Sequence, residues 1–457
     1  MPDLKRVREN DIRDRDPSMI RQMLEKQSPQ DFARLLDRLD TPDQMIVFRL
    51  LPHNTSATVF GYLNTPTREV LLKAMDQGDV AALLNEMAPD DRTHLLEELP
   101  ASVINQLLAL LTAEERAIAI SLLGYPEDSI GRLMTPDYVK VRRDWTVTHV
   151  LDHIRQYGRD SETLSTIYVV DDQDVLIDDI RIRNILLASA ETLVAELMDY
   201  KFVALEATDD QETAVSIFRR EDLTALPVTD SSGILIGIVT VDDVLDVAEA
   251  EATEDIQKIG AVEVLDEPFI QIALTRMIRK RASWLIILFL GEMLTATAMS
   301  FFEAQIAKAV VLALFIPLVI SSGGNSGSQA ATLVIRALAL GELTLRDWWR
   351  VMYREILAGF ALGLILGAIG FLRIALWSAL GKAYGEHWFA VGITVGIALV
   401  GVVLWGTLVG SMLPFALQRI GLDPATSSVP FVATLVDVTG LVIYFSVAIL
   451  ILRGTLL

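Results

Sequence analysis

Residues 429–452 form one uninterrupted apolar segment with a single charged side chain, Asp437. A helix that spans a bilayer needs roughly 20 mainly apolar residues, so this segment predicts a transmembrane helix. A carboxylate at that depth costs at least ~2.5–3.5 kcal/mol on insertion scales. Two interpretations are open at this point. Asp437 is buried and paired with an Arg or with helix-end N–H groups, or it faces a water-filled path and attracts a cation.

The charge of the chain is divided unevenly along its length. The 457 residues include 60 acidic and 39 basic side chains, which gives a net charge of −21. Residues 277–457 hold 8 of the acidic and 12 of the basic side chains, so residues 1–276 carry a net charge of −25. Phosphate binding needs a basic surface, which excludes nucleic acid as a partner of this acidic part. The excess of acidic side chains in this part indicates cations as its partners.

The absence of cysteine limits the chemistry of the chain. Disulfides, thiolate zinc sites and cysteine nucleophiles are excluded. Of the five histidines, only His149 and His153 stand four residues apart, and without a third ligand this pair favours helix surface over a metal site. Any bound metal should be a hard ion with oxygen ligands. The N-terminus has no signal-peptide pattern. The sequence contains no phosphate loop and no nucleophile–base set, so no motif indicates an enzyme.

Residues 1–130 predict an α-helical domain. Amphipathic runs in this part have the 3.6-residue spacing of helices. Helix starts recur at Thr41, Thr65, Ala88 and Thr112, which lie 23 or 24 residues apart. This period favours stacked helical hairpins that form a short solenoid, with an irregular helical bundle as the alternative.

Residues 131–241 contain the same pattern twice, over 131–190 and 191–241. Leu133-Met134 opens the first half and Leu197-Met198 opens the second, and each half continues with alternating helices and short strands. This arrangement resembles a pair of CBS domains.

The segment 237–244 carries the best match to the CBS signature. In CBS pairs, the residues matching Thr240 and Asp243 often hold the ribose and phosphate of an adenine nucleotide, so the resemblance makes ATP a candidate ligand. The first half departs from this pattern, with Asp178-Asp179 where a Gly is usual and Arg183-Asn184 where an Asp is usual, which argues against nucleotide binding in that half.

Residues 242–276 connect the soluble part to the membrane part. The acidic stretch 242–262 predicts one amphipathic helix, with Asp243, Asp246 and either Glu249 or Glu251 near one face. A solvated surface is one interpretation of this face. A surface for divalent cations is the other, because clustered carboxylates repel one another until a cation bridges them.

Residues 277–457 predict a membrane domain with five helices. The apolar stretches are Trp284–Phe302, Ala309–Leu340, Ile356–Leu380, Trp388–Leu417 and Val429–Leu452. Basic residues concentrate before the first stretch, between the second and third, and between the fourth and fifth. The positive-inside rule then places the N-terminus in the cytoplasm and the C-terminus outside.

The second span is expected to be broken in its middle by the Gly-rich and polar segment 317–329. Such a segment is tolerated at membrane depth where its backbone faces protein or a water-filled cavity, and close helix packing is the alternative. At ~1.5 Å per residue, Asn325 lies about 16 Å from Arg336, and Asp437 lies about 13 Å from Ser428. The Gly-rich segment and Asp437 can therefore line one path.

These features together resemble the MgtE-type magnesium channel family over essentially the whole chain, most specifically in segments 317–332 and 432–444. The resemblance implies a helical N-terminal domain, a CBS pair, a connecting helix that acts as a plug, and five membrane helices. It also implies a multi-pass homodimer in the lipid bilayer of the cell (inner) membrane, with one pore between the subunits.

The resemblance also assigns residues. Asp437 matches the pore carboxylate, which would hold hydrated Mg²⁺ through water, and Asn325, Gly323 and Gly324 match the polar wall of the pore. Further carboxylates match Mg²⁺ sensor residues of the plug helix, the N-domain and the CBS pair. They are Asp243, Asp246, Glu251, Glu254, Asp255, Asp90, Asp91, Asp210, Glu212 and Asp222.

The expected function is therefore a Mg²⁺-selective channel that closes when cytoplasmic Mg²⁺ bridges the acidic surfaces. One alternative is a secondary transporter of divalent cations coupled to H⁺ or Na⁺, in which Asp437 titrates; five spans without inverted repeats argue against it. Another is a membrane-anchored sensor of nucleotides or cations that transports nothing. The lone intramembrane Asp beside a Gly-rich segment argues against that sensor.

Overall fold

The computed structural model describes residues 28–51, 53–265, 269–270, 272–381, 384 and 386–456. The first 27 residues of the expected N-terminal domain lie outside this description. The chain forms two compact units, residues 1–251 and 252–457.

The described part of the first unit contains eight short helices before residue 130. They are α1 (Pro29–Leu36), α2 (Thr41–Arg49), α3 (His53–Gly61), α4 (Thr65–Ala74), α5 (Gln77–Glu86), α6 (Pro89–Glu97), α7 (Ala101–Leu108) and α8 (Ala113–Leu123). Capping side chains set several starts, because they accept hydrogen bonds from otherwise unpaired backbone N–H groups. Asp40 and Asn64 cap α2 and α4, which begin at the expected Thr41 and Thr65, and Thr112 caps α8, which begins one residue later.

Alternate helices of this series pack on one another. Helix α3 contacts both α1 and α5, α2 contacts α4, and α6 contacts α8. The core between them is apolar, with Leu36, Phe60, Leu71 and Leu84 completely buried. Stacking of alternate helices is the arrangement of a short solenoid, as the 24-residue period predicts.

The CBS part continues the first unit with two small sheets. Its elements are α9 (Ile130–Leu133), β1 (Lys140–Arg142), α10 (Val147–Tyr157), β2 (Thr166–Val170), β3 (Leu176–Arg181), α11 (Ile182–Leu187), α12 (Val194–Leu197), β4 (Leu205–Glu206), α13 (Gln211–Glu221), β5 (Ala225–Thr229) and β6 (Leu235–Thr240).

The two sheets have the same topology. In the first, β1 pairs parallel with β2, and β2 pairs antiparallel with β3. In the second, β4, β5 and β6 repeat this order and these directions. The middle strands are buried at every position. The repeated topology confirms the duplication read from the sequence.

The acidic helix α14 covers Val241–Ile259. It follows β6 without a loop and is shorter than the expected helix, which extended to about residue 262. The chain leaves the helix at Gly260, and Ala261 has a φ of 56° in the left-handed region. Of the connecting segment 242–276, the described residues between Gly260 and Ala273 are not helical.

Among its described residues, the second unit contains five helices that are long and apolar enough to cross a membrane. They are α15 (Leu274–Phe301), α17 (Ile316–Ala339), α18 (Trp348–Ala379), α19 (Trp388–Arg419) and α20 (Val429–Leu452), with α16 (Glu303–Lys308) between the first two. Short 3₁₀ segments precede α17, α18 and α20. The five expected spans are present.

The expected break in the second span is wrong. Helix α17 runs without interruption from Ile316 to Ala339, through the whole Gly-rich segment. Its glycines serve close packing instead, since added Cβ atoms on Gly406 and Gly410 of α19 would collide with the carbonyl oxygens of Gly323 and Gly327. Small residues four apart on both helices allow their backbones to meet.

Candidate functional site

Asp437 lies in the middle of α20, half-buried and next to the Gly-rich part of α17. A Cβ atom built on Gly324 would lie 3.6 Å from Asp437 Oδ1 and 3.6 Å from the Cβ of Ala433. The predicted carboxylate and the predicted polar segment therefore occupy one level of the membrane unit. A larger residue at position 324 would come between the carboxylate and the α17 backbone.

Two polar side chains of α17 lie on the face turned away from α19. Ser321 and Asn325 are exposed, one helical turn apart, with the Asn325 side-chain amide nitrogen 3.5 Å from Ser321 Oγ. Gly323 and Gly327 are buried on the opposite face. Helix α17 thus presents amide and hydroxyl groups to one side while its glycines hold it to α19.

A second acidic residue of the membrane helices was missed by the sequence reasoning. Glu292 lies in the middle of α15, and its charge interacts with that of Asp437. A Glu inside the apolar run Trp284–Phe302 was the available signal. An ionisable residue at membrane depth is a functional candidate by default.

Acidic side chains from α6, from the loop before β2 and from the start of α14 lie near enough for their charges to act on one another. Asp90 and Asp91 come from the first turn of α6, Asp243 and Asp246 from α14, and Glu162 from the loop before β2. Their charges act on one another. We call these five residues the acidic cluster. The sequence predicted the first four as sensor residues and missed Glu162, which is distant in sequence from the others.

Burial and mutual repulsion both act on the acidic cluster. Burial raises the pKa of Asp243 to about 7, although the hydrogen bond from Thr240 favours the charged form. Burial and then the charge of Asp243 raise the pKa of Asp90 well above its usual value. Asp90 Oδ1 is buried without a hydrogen-bond partner. The cluster therefore carries an unfavourable concentration of negative charge.

The acidic cluster is too open to enclose an ion with carboxylates alone. Within the described residues, no three acidic or histidine side chains converge closely enough to ligate one metal ion. A cation that bridges this cluster must therefore keep water molecules in its coordination shell, as Mg²⁺ commonly does.

The remaining predicted sensor residues lie outside the acidic cluster. The Asp210 side chain caps α13 by accepting a hydrogen bond from the backbone N–H of Glu212, and Asp222 ends the same helix with a φ of 53°. Glu251 accepts a hydrogen bond from Gln211 at 3.1 Å. These contacts give local structural roles to carboxylates that the resemblance assigned to sensing.

The C-terminal end of α14 carries an ion-pair group. Lys258 Nζ lies 2.6 Å from Asp423 Oδ2, in the connection between α19 and α20, and also pairs with Glu254 one turn earlier. Asp255 is half-buried beside them in the same helix. Burial alone would lower the pKa of Lys258, but its hydrogen bonds to Asp423 and Glu254 raise the pKa above the usual range.

The candidate nucleotide residues sit at the junction of β6 and α14. Thr240 Oγ1 donates a hydrogen bond of 2.6 Å to Asp243 Oδ2. The same carboxylate belongs to the acidic cluster. The histidine pair lies elsewhere, on α10, with the rings of His149 and His153 centred 4.3 and 5.0 Å from that of Trp145.

Comparisons with known proteins agree with this organisation. A divalent cation transporter profile named MgtE matches residues 316–447, an MgtE intracellular N-domain profile matches 27–128, and CBS profiles match 130–191 and 194–250. The chain is 41% identical to the magnesium transporter MgtE of Thermus thermophilus, over 97% of this chain and 97% of that protein. The chain belongs to the MgtE family of magnesium transporters. The MgtE magnesium transporter of Bacillus subtilis is 31% identical over 92% of this chain and 93% of its own length.

Solved structures also resemble the soluble part. The soluble part of a magnesium transporter is 27% identical over 53% of this chain and 96% of its own length, with a TM-score of 0.50. The cytosolic domain of the Mg²⁺ channel MgtE in complex with ATP is 37% identical over 51% of this chain and 95% of its own length, with a TM-score of 0.49. The family profiles and the two sequence relatives confirm the family expected from the sequence.

Proposed function

We propose that this protein is a Mg²⁺-selective channel of the cell membrane, with a path lined by α17 and α20. The observation that carries the proposal is the position of Asp437, at mid-span beside the backbone of Gly324. Among the described charged groups, Glu292 interacts with Asp437 and no basic side chain does. A carboxylate at this depth without a basic partner requires water or a passing cation.

The chemistry of the path suits a hydrated divalent ion. Mg²⁺ gives up its water shell reluctantly and is commonly held by one or two carboxylates and several waters. Asp437 supplies one carboxylate, and the exposed amide and hydroxyl of Asn325 and Ser321 supply groups that bond to water. We propose that two copies of the chain face each other across this path, so that each pore contains two Asp437 side chains.

Gating would use the acidic cluster as the sensor of cytoplasmic Mg²⁺. At high Mg²⁺, cations bridge α6, the loop before β2 and α14, and they offset the repulsion that raises the pKa of Asp90 and Asp243. At low Mg²⁺ the repulsion is unrelieved and the arrangement loosens. A shift of a two-state gate from 1:99 to 99:1 needs ~5.5 kcal/mol of differential binding, which favours several cations over one.

Helix α14 would transmit this change to the membrane helices. Its end is fixed to the connection before α20 through Lys258 and Asp423. Because α20 carries Asp437, a displacement of this connection changes the position of the pore helix directly. In this proposal the soluble parts are cytoplasmic and the C-terminus is outside, as the distribution of basic residues predicts.

ATP binding at the CBS pair is a further part of the proposal. The Thr240 hydroxyl and the Asp243 carboxylate lie together at the strand-to-helix junction, where they could bond to a ribose. A nucleotide there would draw Asp243 away from the acidic cluster and so alter the Mg²⁺ dependence of the gate.

Ion flux into liposomes tests conduction. The protein and its Asp437→Ala variant are reconstituted, and Mg²⁺ entry is followed with an internal dye, with dimer assembly checked by size-exclusion chromatography. Entry in the wild type and its loss in an assembled variant support the proposal. Normal entry through the Asp437→Ala variant would place the path elsewhere.

Electrical recording separates a channel from the two other candidates. Single openings with currents far above the turnover of a carrier indicate a channel. Flux that needs a H⁺ or Na⁺ gradient indicates a coupled transporter. Well-assembled protein that is silent at low Mg²⁺ on the cytoplasmic side indicates a sensor without transport.

A further inference from the structure

Glu292 places a second negative charge inside the membrane unit. It lies near the middle of α15, a 28-residue helix that is apolar enough to span a bilayer. The nearest basic residue before it in α15 is Arg281, about 16 Å away at ~1.5 Å per residue. The Glu292 side chain is exposed on its helix. A lipid-facing carboxylate at this depth would be costly, so its surroundings are informative.

The packing of α15 on α20 places Glu292 at the level of the path. A Cβ atom built on the preceding residue, Gly291, would lie 2.9 Å from Cγ2 of Thr434. Thr434 and Asp437 are three residues apart on α20 and therefore share one face of that helix. The missing side chain at position 291 allows this close approach and brings Glu292 toward the Asp437 face.

An open cleft of about 580 Å³ lies between the two helices at this level. Apolar side chains of α15, including Leu285 and Phe289, form most of its wall. Glu292 and Thr434 contribute its polar groups. The Glu292 carboxylate and the Thr434 hydroxyl thus line one cleft within the span.

We propose that Glu292 is a specificity-determining residue of the ion path, whose charge adds to the field of Asp437 and favours divalent over monovalent cations. The inference rests on the proposed conduction past Asp437. Glu292 acts at a distance in this proposal, without ligating the ion. The energy of a cation in this field grows in proportion to its charge, so a second carboxylate benefits Mg²⁺ twice as much as Na⁺.

Removal of the charge at constant size is the first test. In reconstituted protein, we expect Glu292→Gln to raise the half-saturating Mg²⁺ concentration at least about fivefold and to lower the Mg²⁺/Na⁺ permeability ratio. Glu292→Asp should retain most of both properties. Met293→Gln places the same amide on the next residue and should behave as the wild type. Unchanged affinity and selectivity in Glu292→Gln, or an equal loss in Met293→Gln, would overturn the proposal.

The absence of native cysteine allows a test that separates charge from shape. A thiol at Glu292→Cys is modified with a methanethiosulfonate reagent that adds either a sulfonate or a trimethylammonium group of similar bulk. We expect the sulfonate to increase Mg²⁺ affinity and the trimethylammonium to decrease it, with a ratio of at least about fivefold. Changes of the same sign and size with both reagents would show a steric effect and overturn the proposal.

The Asp437→Ala variant measured in parallel keeps the two proposals distinct. Normal flux in that variant contradicts the conduction path itself. Loss of flux in Asp437→Ala together with wild-type selectivity in Glu292→Gln contradicts only the role of Glu292. Loss of flux in Asp437→Ala together with reduced divalent preference in Glu292→Gln supports both the conduction path and the role of Glu292.

Discussion

Asp437 Oδ1 lies 3.6 Å from the position that a methyl group on Gly324 would occupy, so the carboxylate rests beside the bare backbone of a neighbouring helix. Two glycines that are adjacent in sequence, Gly323 and Gly324, thus have different tasks. Gly324 leaves room beside the carboxylate. Gly323 faces α19, where a Cβ atom would lie 3.1 Å from the Val402 carbonyl oxygen and would collide with the Val402 side chain.

Alanine at these two positions should separate conduction from stability. We expect Gly324→Ala to change the free energy of unfolding by less than about 1 kcal/mol, because its new contacts are of ordinary length. Mg²⁺ flux should nevertheless fall several-fold, because the methyl group displaces water from Asp437. Gly323→Ala should cost about 1–3 kcal/mol through overpacking. Thermal melting in detergent and liposome flux measure both, and equal melting temperatures for the two variants would contradict this division.

Neutralisation of the acidic cluster should make the Mg²⁺-free protein more stable. Asp91→Asn with Asp246→Asn removes two of the mutually repelling charges. We expect a higher melting temperature without Mg²⁺ and a smaller rise when about 10 mM Mg²⁺ is added, a concentration about tenfold above the dissociation constants of weak divalent-cation sites. The control is Glu251→Gln with Asp255→Asn, which leaves the cluster intact. If Mg²⁺ raises the melting temperature of the cluster variant as much as that of the wild type, the acidic cluster is not the Mg²⁺ sensor.

Channel closure should depend on the carboxylates of the acidic cluster and not on the control pair, Glu251 and Asp255. In patch recordings with millimolar cytoplasmic Mg²⁺, the Asp91→Asn, Asp246→Asn variant should stay open. The resemblance to the MgtE family assigns Asp246, Glu251 and Asp255 together as sensor residues of this closure. Because Glu251 bonds to Gln211 instead of the cluster, we expect Asp246 to account for most of that effect.

The stability of the first unit should fall as pH rises when no Mg²⁺ is present. The pKa of Asp243 is raised to about 7 in the folded protein, above the ~3.9 of an unfolded chain, so folding favours its protonated form. The stabilisation is complete below pH ~4 and is lost as the pH rises to about 7. Melting temperatures in EDTA between pH 5 and 8 test this. Asp243→Asn should flatten the curve, and an unchanged slope in that variant would assign the effect to another group.

Removal of the lysine at the end of α14 should weaken Mg²⁺-dependent closure. Lys258→Met breaks the ion pairs with Asp423 and Glu254 while keeping an apolar stem of similar length. These side chains are about one-third exposed, so we expect only ~1 kcal/mol of lost stability. Residual current at high Mg²⁺ should rise. A double-mutant cycle with Asp423→Asn measures the coupling, and additive effects on closure would show that this pair does not transmit the gate.

Local patterns predicted most of the architecture, because each element follows from its own residues. The 24-residue period gave the N-terminal stacking, the repeated Leu-Met openings gave the CBS duplication, and apolar length gave the five spans. Short-range rules could not decide whether the Gly-rich segment of α17 breaks the helix. That outcome depends on Gly406 and Gly410 in another helix, which accept its backbone at close range.

The candidate site was partly predictable for the same reason. Asp437 was evident as an isolated charge in an apolar run. Glu292 had the same signal and was overlooked. Glu162 joins Asp90 and Asp243 only after the solenoid and the CBS pair have folded, so no pattern near residue 162 could reveal it.

The glycine contacts between α17 and α19 restrict how such a pore can change its width. The carbonyl oxygens of Gly323 and Gly327 occupy the space that side chains at Gly406 and Gly410 would fill. Neither helix can slide along the other or bend at this level without a backbone collision. We therefore expect α17 and α19 to move together when the proposed path changes its width.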